Sequence, residues 1–282
     1  MFMRKCSSTG LLGFALLLGA SGASALDLQG IWYPIFHEDQ TERVPGPDAG
    51  DYLGLPINEA ARLRADSWDP NLLTVPEHQC KPHPGNYGTR GVGQMRISED
   101  RDPVTLQLIK INTHIQWQEQ RRSLWMNGKA PPPDFAAHTW QGFSTGHFAG
   151  DVLVVDTSRL KAGWIRRNGL ALSDRAHMQE RYIRHGDILT HVYMVEDPVY
   201  LTEPVVRTTN YRLVLNGTID PYPCRYAIEI ERPRGSVPSR LPGTNPSSEE
   251  YARRFNIPLE AVRGGANTAL PEFLDTLRNR AP

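Results

Sequence analysis

Met178-Gln179-Glu180-Arg181-Tyr182-Ile183-Arg184, then Gly186-Asp187, then Ile188-Leu189-Thr190-His191-Val192-Tyr193-Met194-Val195 is the stretch that decides the fold. Two runs rich in β-branched and aromatic residues flank a Gly-Asp pair. That pair supplies the positive-φ positions of a tight turn, so the stretch predicts a β-hairpin. The same pattern recurs outward from it between Arg96 and Arg232. Further candidate strands are 104–111, 113–118, 123–126, 139–143, 152–156, 205–213 and 225–231, with turn signals at Asn127-Gly128, Gly150-Asp151 and Asn216-Gly217. Short strands joined by such turns predict an antiparallel barrel or sandwich rather than a βαβ sheet.

Helical periodicity is rare. Short helices are expected at 58–66, at 248–255 with Ser247 or Ser248 as cap, and at 271–280. Leu270, Phe273, Leu274 and Leu277 form an apolar stripe on the last of these. The 24 glycines and 23 prolines cluster at 45–56, 70–93 and 233–246. The first 25 residues carry Arg4 and Lys5, an apolar run from Leu11 to Ala20, and Ala23-Ser24-Ala25. This is the layout of a cleaved secretory signal peptide, and its apolar run is too short to span a bilayer. The expected organisation is therefore a signal peptide at 1–25, a β-barrel domain at 26–232 with a loop-rich insertion at about 39–95, and a C-terminal helical arm at 233–282. The expected location is the periplasm or the exterior, with no membrane anchor after signal removal.

Removing the signal removes Cys6 and leaves Cys80 and Cys224. In an oxidising compartment such a pair is expected to form one disulfide. A loop of 143 intervening residues is worth about 4–5 kcal/mol in the chain-entropy account. No CxxC or HxxxH spacing occurs, so no metal site is expected. The remaining 29 basic and 31 acidic residues form no basic stripe, which argues against nucleic acid as a partner. No phosphate loop, dinucleotide fingerprint or haem-attachment motif is present, and no cofactor is expected.

Gly30-Ile31-Trp32 carries the Gly-x-Trp opening that resembles lipocalin-like barrels, and the resemblance implies a Trp at the barrel base on the first strand. The fold expected is thus mainly β: an antiparallel lipocalin-like barrel with proline-rich N-terminal loops and short C-terminal helices. A longer series follows: Trp140-Gln141-Gly142-Phe143-Ser144-Thr145-Gly146, Gly150-Asp151-Val152-Leu153-Val154-Val155-Asp156-Thr157, Ser173-Asp174 with His177 and Glu180-Arg181, and Glu196-Asp197-Pro198. It resembles a broad group of exported, mostly uncharacterised bacterial proteins, as do Asp69-Pro70 and Cys80-x-Pro82. The chain departs from that group at His147-Phe148, where Trp-Glu is usual.

Gly142-Phe143-Ser144-Thr145-Gly146 also matches the G-x-S-x-G pattern of a nucleophile elbow. That motif needs a helix after it, and a Gly-Asp turn into a β-run follows instead. Alternate positions of a strand share a face. His177, Gln179 and Arg181 form one polar row, His191 and Tyr193 a second, and His114, Gln116 and Gln118 a third. These rows face either solvent or a polar barrel interior. In the second case His177 is the general acid or base, oriented by Asp174. Arg181 then stabilises an oxyanion, and Tyr193 donates a proton to a leaving oxygen. His114, Gln116, Gln179, His191, Trp117 and Trp140 would bind the substrate, with His78 and His83 lying over the barrel mouth. The expected activity is a cofactor-independent lyase or isomerase acting on a hydrophobic aromatic small molecule. The alternative is a non-catalytic small-molecule carrier. Self-association is open in either case.

Overall fold

The computed structural model describes residues 26–36, 46–90 and 93–278. The expected signal segment, with Cys6, lies outside these residues. The hairpin quoted above is formed by β9 (His177–His185) and β10 (Ile188–Glu196), with Ile188 opposite His185. Gly186 in its turn has φ +59°, which glycine adopts without steric cost. Gly150, at φ +61°, joins β5 (Phe143–Ala149) to β6 (Val152–Ser158) in the same way.

The other strands are β1 (Gly30–Pro34), β2 (Met95–Arg101), β3 (Leu108–Ile115), β4 (Gln120–Trp125), β7 (Gly163–Arg166), β8 (Leu170–Leu172) and β11 (Val205–Leu213). Nine of the eleven close into a lipocalin-like barrel in the order β1-β11-β10-β9-β6-β5-β4-β3-β2, while β7 and β8 form a separate hairpin. The barrel is mixed rather than purely antiparallel, because β4 and β5 run parallel through Leu124–Ser144 and Trp125–Thr145. Asn127-Gly128 therefore turns into a crossover, not a hairpin.

Four strand expectations are corrected. The run expected at 113–118 is the end of β3, which stops at Ile115; Trp117–Glu119 is a 3-10 turn with Gln118 at φ 55°, so Gln116 and Gln118 do not continue the strand face of His114. The run expected at 104–111 begins only at Leu108, because the Asp102 carboxylate accepts from the backbone of Val104 (2.9 Å) and Thr105 (2.7 Å) and holds a turn there. The expected run at 139–143 is mostly loop, with β5 starting at Phe143. Residues 225–231 form no strand and are exposed.

The inward side chains fall into three layers along the barrel axis. Leu28, Trp32, Ile111, Leu124, Leu153, Tyr182, Leu189 and Tyr211 belong to an apolar layer at one end. Trp32 lies fully buried in it and donates its indole N–H to the Leu28 carbonyl at 2.9 Å. Met178, Tyr193, Val195 and Val205 belong to a second apolar layer, continued by Ile57, Ala61, Ala65, Leu170 and Leu172. Between the layers lie Arg122, Ser144, Thr157, Glu180, His191 and Thr209, each buried. On β9 the order is Met178, Glu180, Tyr182; on β10 it is Tyr193, His191, Leu189. The layering thus follows directly from the two-residue period of a strand.

Helix α1 (Glu59–Asp66) is capped by Asn58, whose side chain accepts from the Ala61 N–H at 3.0 Å. Short helices α2 (Pro76–Gln79) and α3 (Gly85–Gly88) follow. Residues 83–90 are buried without exception and cross the barrel mouth. Tyr211 on β11 donates to the Thr89 carbonyl at 3.1 Å. A Cβ on Gly85 would touch Met178 on β9, and one on Gly88 would lie 2.7 Å from the Gln120 side chain on β4. Contacts to three non-adjacent strands place this segment across the lumen as a plug.

Cys80, just before the plug, is disulfide-bonded to Cys224, with Cα atoms 5.6 Å apart. The C-terminal arm contains α4 (Glu250–Phe255), α5 (Leu259–Val262) and α6 (Pro271–Arg278). The expected serine cap is replaced by Asn245, which caps a 3-10 turn through the Ser247 N–H. Arg263 anchors the arm to α1 through a two-pronged ion pair with Asp66, both contacts at 3.0 Å. Among the described residues no helix is long and apolar enough to cross a membrane.

Candidate functional site

Two polar assemblies stand out, one inside the barrel and one at its mouth. Inside, the Arg122 guanidinium spans from β4 to β5, β6 and β9. It donates through Nε to Ser144 Oγ (2.9 Å), through Nη1 to Glu180 Oε1 (2.8 Å), and through Nη2 to Thr157 Oγ1 and Glu180 Oε2. Tyr182 donates its hydroxyl to Glu180 Oε1 at 3.2 Å, and His191 Nε2 lies 2.9 Å from the same oxygen. Burial alone would raise the Glu180 pKa. The facing Arg122, with hydrogen bonds from His191 and Arg122, outweighs it and holds the carboxyl well below its usual range. Burial and the Glu180 charge push the Tyr182 phenol up. With Glu180 and His191 fully buried and the plug above, this is an enclosed ion-pair network rather than a substrate surface. Ser144 serves it as an acceptor from Arg122, not as an elbow nucleophile.

The second assembly is a pocket of about 190 Å³ between α2, the plug, the β3–β4 turn and the β7–β8 hairpin. Trp117 and Trp164 supply its flat walls, and Lys81, His78, His83 and Arg167 its basic groups. The His83 and Trp117 rings are parallel, 3° apart in tilt with centroids at 6.0 Å. Trp117 is backed by Tyr222 at 5.4 Å, next to Cys224, and Trp164 by Trp68 at 4.9 Å. Lys81 Nζ sits 5.7 Å from the Trp164 ring and 5.4 Å from the Trp140 ring. Among the described residues no carboxylate lines the pocket. Four of its side chains carry a buried polar atom without a hydrogen-bond partner among the described residues: His83 Nδ1, Trp117 Nε1, Gln118 Oε1 and Arg167 Nε. Buried polar atoms normally have a partner, whether protein, ordered water or a bound molecule.

The backbone adds a second signal. Gln118 and Glu119 both have positive φ, at 55° and 52°, which is uncommon for side-chain-bearing residues and concentrates at functional sites. The strained turn is pinned on both sides. Gln118 Nε2 donates to the Gln79 carbonyl at 3.3 Å, and Glu119 Oε1 accepts from the Tyr222 N–H at 2.8 Å. Burial and the Arg167 charge push the His83 pKa down to about 3, so its imidazole is neutral at physiological pH. Burial, then Lys81, pushes His78 down; burial, then Arg64 and Lys161, lowers Lys81.

The residues expected from sequence are dispersed. His177, Arg181 and Asp174 are exposed on the outside of the barrel, which corrects the reading of their row as an interior acid–base site. The Met178, Glu180, Tyr182 face turns inward instead. Asp174 and His177 do share an outer cleft of about 650 Å³ with His138 and Arg159. There His138 Nδ1 is already bonded to the Leu160 oxygen (2.9 Å) and Arg159 to Asp134. Gln179 bonds Asp156 at 3.3 Å on the same outer face. His114 Nε2 pairs with Glu119 at 2.8 Å and Gln116 with the Asp220 carbonyl at 3.2 Å, both beside the strained turn. His191 and Tyr193 are interior, their rings 5.6 Å apart. Trp117 lines the pocket, and Trp140 stands behind Lys81. His83, Lys81, Gln118, Trp164 and Arg167 complete the pocket. Apart from the placing of Gln118 in the third polar row, their sequence cue is the placing of His78 and His83 around a cysteine whose partner lies beyond the last barrel strand.

Among the described residues no group of three or more His, Cys, Asp or Glu is disposed to hold a metal ion. Comparison with family models, with curated proteins and with solved structures gives no match to this chain.

Proposed function

We propose that the protein takes a small, flat, hydroxylated aromatic anion into the mouth pocket and performs cofactor-independent proton-transfer chemistry on it, as a lyase or isomerase. The observation that carries this reading is one basic pocket walled by two tryptophans, four of whose lining side chains each carry an unpartnered buried polar atom. Trp117 Nε1 and Arg167 Nε are donors and want an acceptor. Gln118 Oε1 is an acceptor and wants a hydroxyl. Trp117 and Trp164 suit an aromatic ring. His83 is the base. Burial, and then the Arg167 charge, depress its basicity, and a bound anion facing Arg167 offsets the second of these. His83 Nδ1 removes a proton from carbon or hydroxyl, and the electron pair moves to an oxygen held by Arg167 and Lys81. The proton then returns to another carbon, giving an isomer, or leaves with a departing group, giving elimination. The signal-like N-terminus and the disulfide support action outside the cytoplasm.

The test is incubation with a panel of hydroxylated aromatic acids, reading tryptophan quenching for binding and product mass for turnover. Arg167→Ala is expected to weaken binding roughly 10- to 100-fold, the range for a charged hydrogen bond. His83→Gln is expected to keep binding and abolish turnover. A ligand bound without conversion by the wild type would make the protein a carrier. Binding unaffected by both Arg167→Ala and Trp117→Ala would refute the pocket.

A further inference from the structure

Arg225-Tyr226-Ala227-Ile228-Glu229-Ile230-Glu231 alternates polar and apolar residues as a strand does, yet it joins no sheet. No turn or bend interrupts the chain from 217 to 229. One edge of the segment is held by the body of the protein. The Ala227 N–H donates to Gln79 Oε1 (2.8 Å), and the Ala227 carbonyl accepts from Gln79 Nε2 (3.0 Å). In an extended chain the peptide groups of neighbouring residues face opposite edges. The N–H and C=O groups of Tyr226, Ile228 and Ile230 therefore face away from Gln79. Their backbones make no hydrogen bond among the described residues. Their side chains are 64 %, 72 % and 44 % exposed. Folded proteins normally blunt such an edge with lysine, proline or a covering loop. Here it carries three large apolar residues.

We propose that this edge pairs antiparallel with the same edge of a second copy of the chain, about a two-fold axis at Ile228. The sequence is self-complementary in that register. Ile228 faces Ile228, Tyr226 faces Ile230 on the apolar face, and Arg225 faces Glu231 on the polar face. Arg225 and Glu231 have no ion-pair partner among the described residues. Pairing straightens the bend at Ile230 and extends the segment next to Tyr222 and Cys224, which keep it in place.

The test is the mass of the purified protein in solution, by light scattering and sedimentation, from low micromolar concentration upward. The wild type is expected at twice the mass of its own denatured chain. Arg225→Glu places two acidic pairs in the interface, and Ile228→Lys places two lysines face to face. Each is expected to raise the dimer dissociation constant by roughly tenfold or more, as like charges directly opposite do. Combining Arg225→Glu with Glu231→Arg restores the complementary pairs and is expected to restore the dimer. A wild type that stays monomeric overturns the proposal. So does a dimer indifferent to both single changes, or a dimer lost on Arg225→Glu and not recovered in the double variant. The exposed position of all three side chains keeps the fold itself out of the comparison, and circular dichroism verifies it.

Discussion

Replacing Arg122 by Met keeps the aliphatic stem and removes the guanidinium that binds Ser144, Thr157 and both oxygens of Glu180. Glu180 then remains fully buried with Tyr182, His191 and the Thr157 hydroxyl to support it but no facing cation. Breaking a buried pair in this way costs about 3–5 kcal/mol. For a chain of this size that lowers the melting temperature by roughly 6–20 °C. Urea unfolding is the assay, with an unchanged slope and a lower midpoint expected. The pH dependence gives an independent reading. In the wild type the Glu180 pKa lies below its unfolded value. Its contribution is complete above that value, about 4.3, and is lost as the pH falls below it. In the variant, burial without Arg122 raises the carboxyl instead. The folded state then binds the extra proton, and the deficit shrinks as the pH is lowered. Substituting Glu180→Leu in addition removes the stranded charge and is expected to recover part of the loss. A single-variant cost under about 1 kcal/mol, or a double variant no better than the single, would refute the reading of these groups as one ion-pair network.

Joint replacement Cys80→Ser and Cys224→Ser is expected to cost about 2–5 kcal/mol under oxidising conditions, measured by denaturant unfolding. Adding a thiol reductant should produce a comparable loss only in the wild type. The His83 imidazole is expected to stay neutral across pH 5–8 by NMR, since its folded pKa is about 3. Its unfolded value is higher, about 6.5. Its stabilising contribution is therefore complete above about pH 6.5 and declines from there toward pH 3. Arg167→Ala should move the folded value upward. Gln118→Gly relieves a left-handed backbone at φ 55°, so stability should hold or rise by about 1 kcal/mol while ligand binding weakens through loss of the Gln118 Oε1 acceptor.

The barrel was legible because turn chemistry and strand period agree: Gly150 and Gly186 take the positive φ that their hairpins need. The inward face of each strand was harder, since a shift of one residue reverses it. On β9 the deciding signal is Met178 and Tyr182, which flank Glu180 at two-residue spacing and mark its face as the core side. A charge on that face needs a buried cation, and Arg122, between Gln120 and Leu124, occupies the matching inward position on β4. The pocket was less legible, because it is assembled from a loop, a turn and an added hairpin that only tertiary contacts bring together. Its strained Gln118-Glu119 turn leaves no compositional mark, since neither residue is one that favours φ > 0. The segment 225–231 has strand character with no partner in its own chain, so periodicity alone predicted an element that the monomer does not complete.

The seam of the barrel has a consequence for how the chain reaches its native state. β1, at residues 30–34, is hydrogen-bonded to β11, at residues 205–213, and to β2, at residues 95–101. Closure therefore joins segments separated by most of the polypeptide, and contacts of such long range form slowly. Until β11 arrives, β1 and β10 are raw edges able to recruit neighbouring molecules. A chain ending before residue 205 should thus fail as a whole, accumulating as aggregate rather than as a shortened barrel.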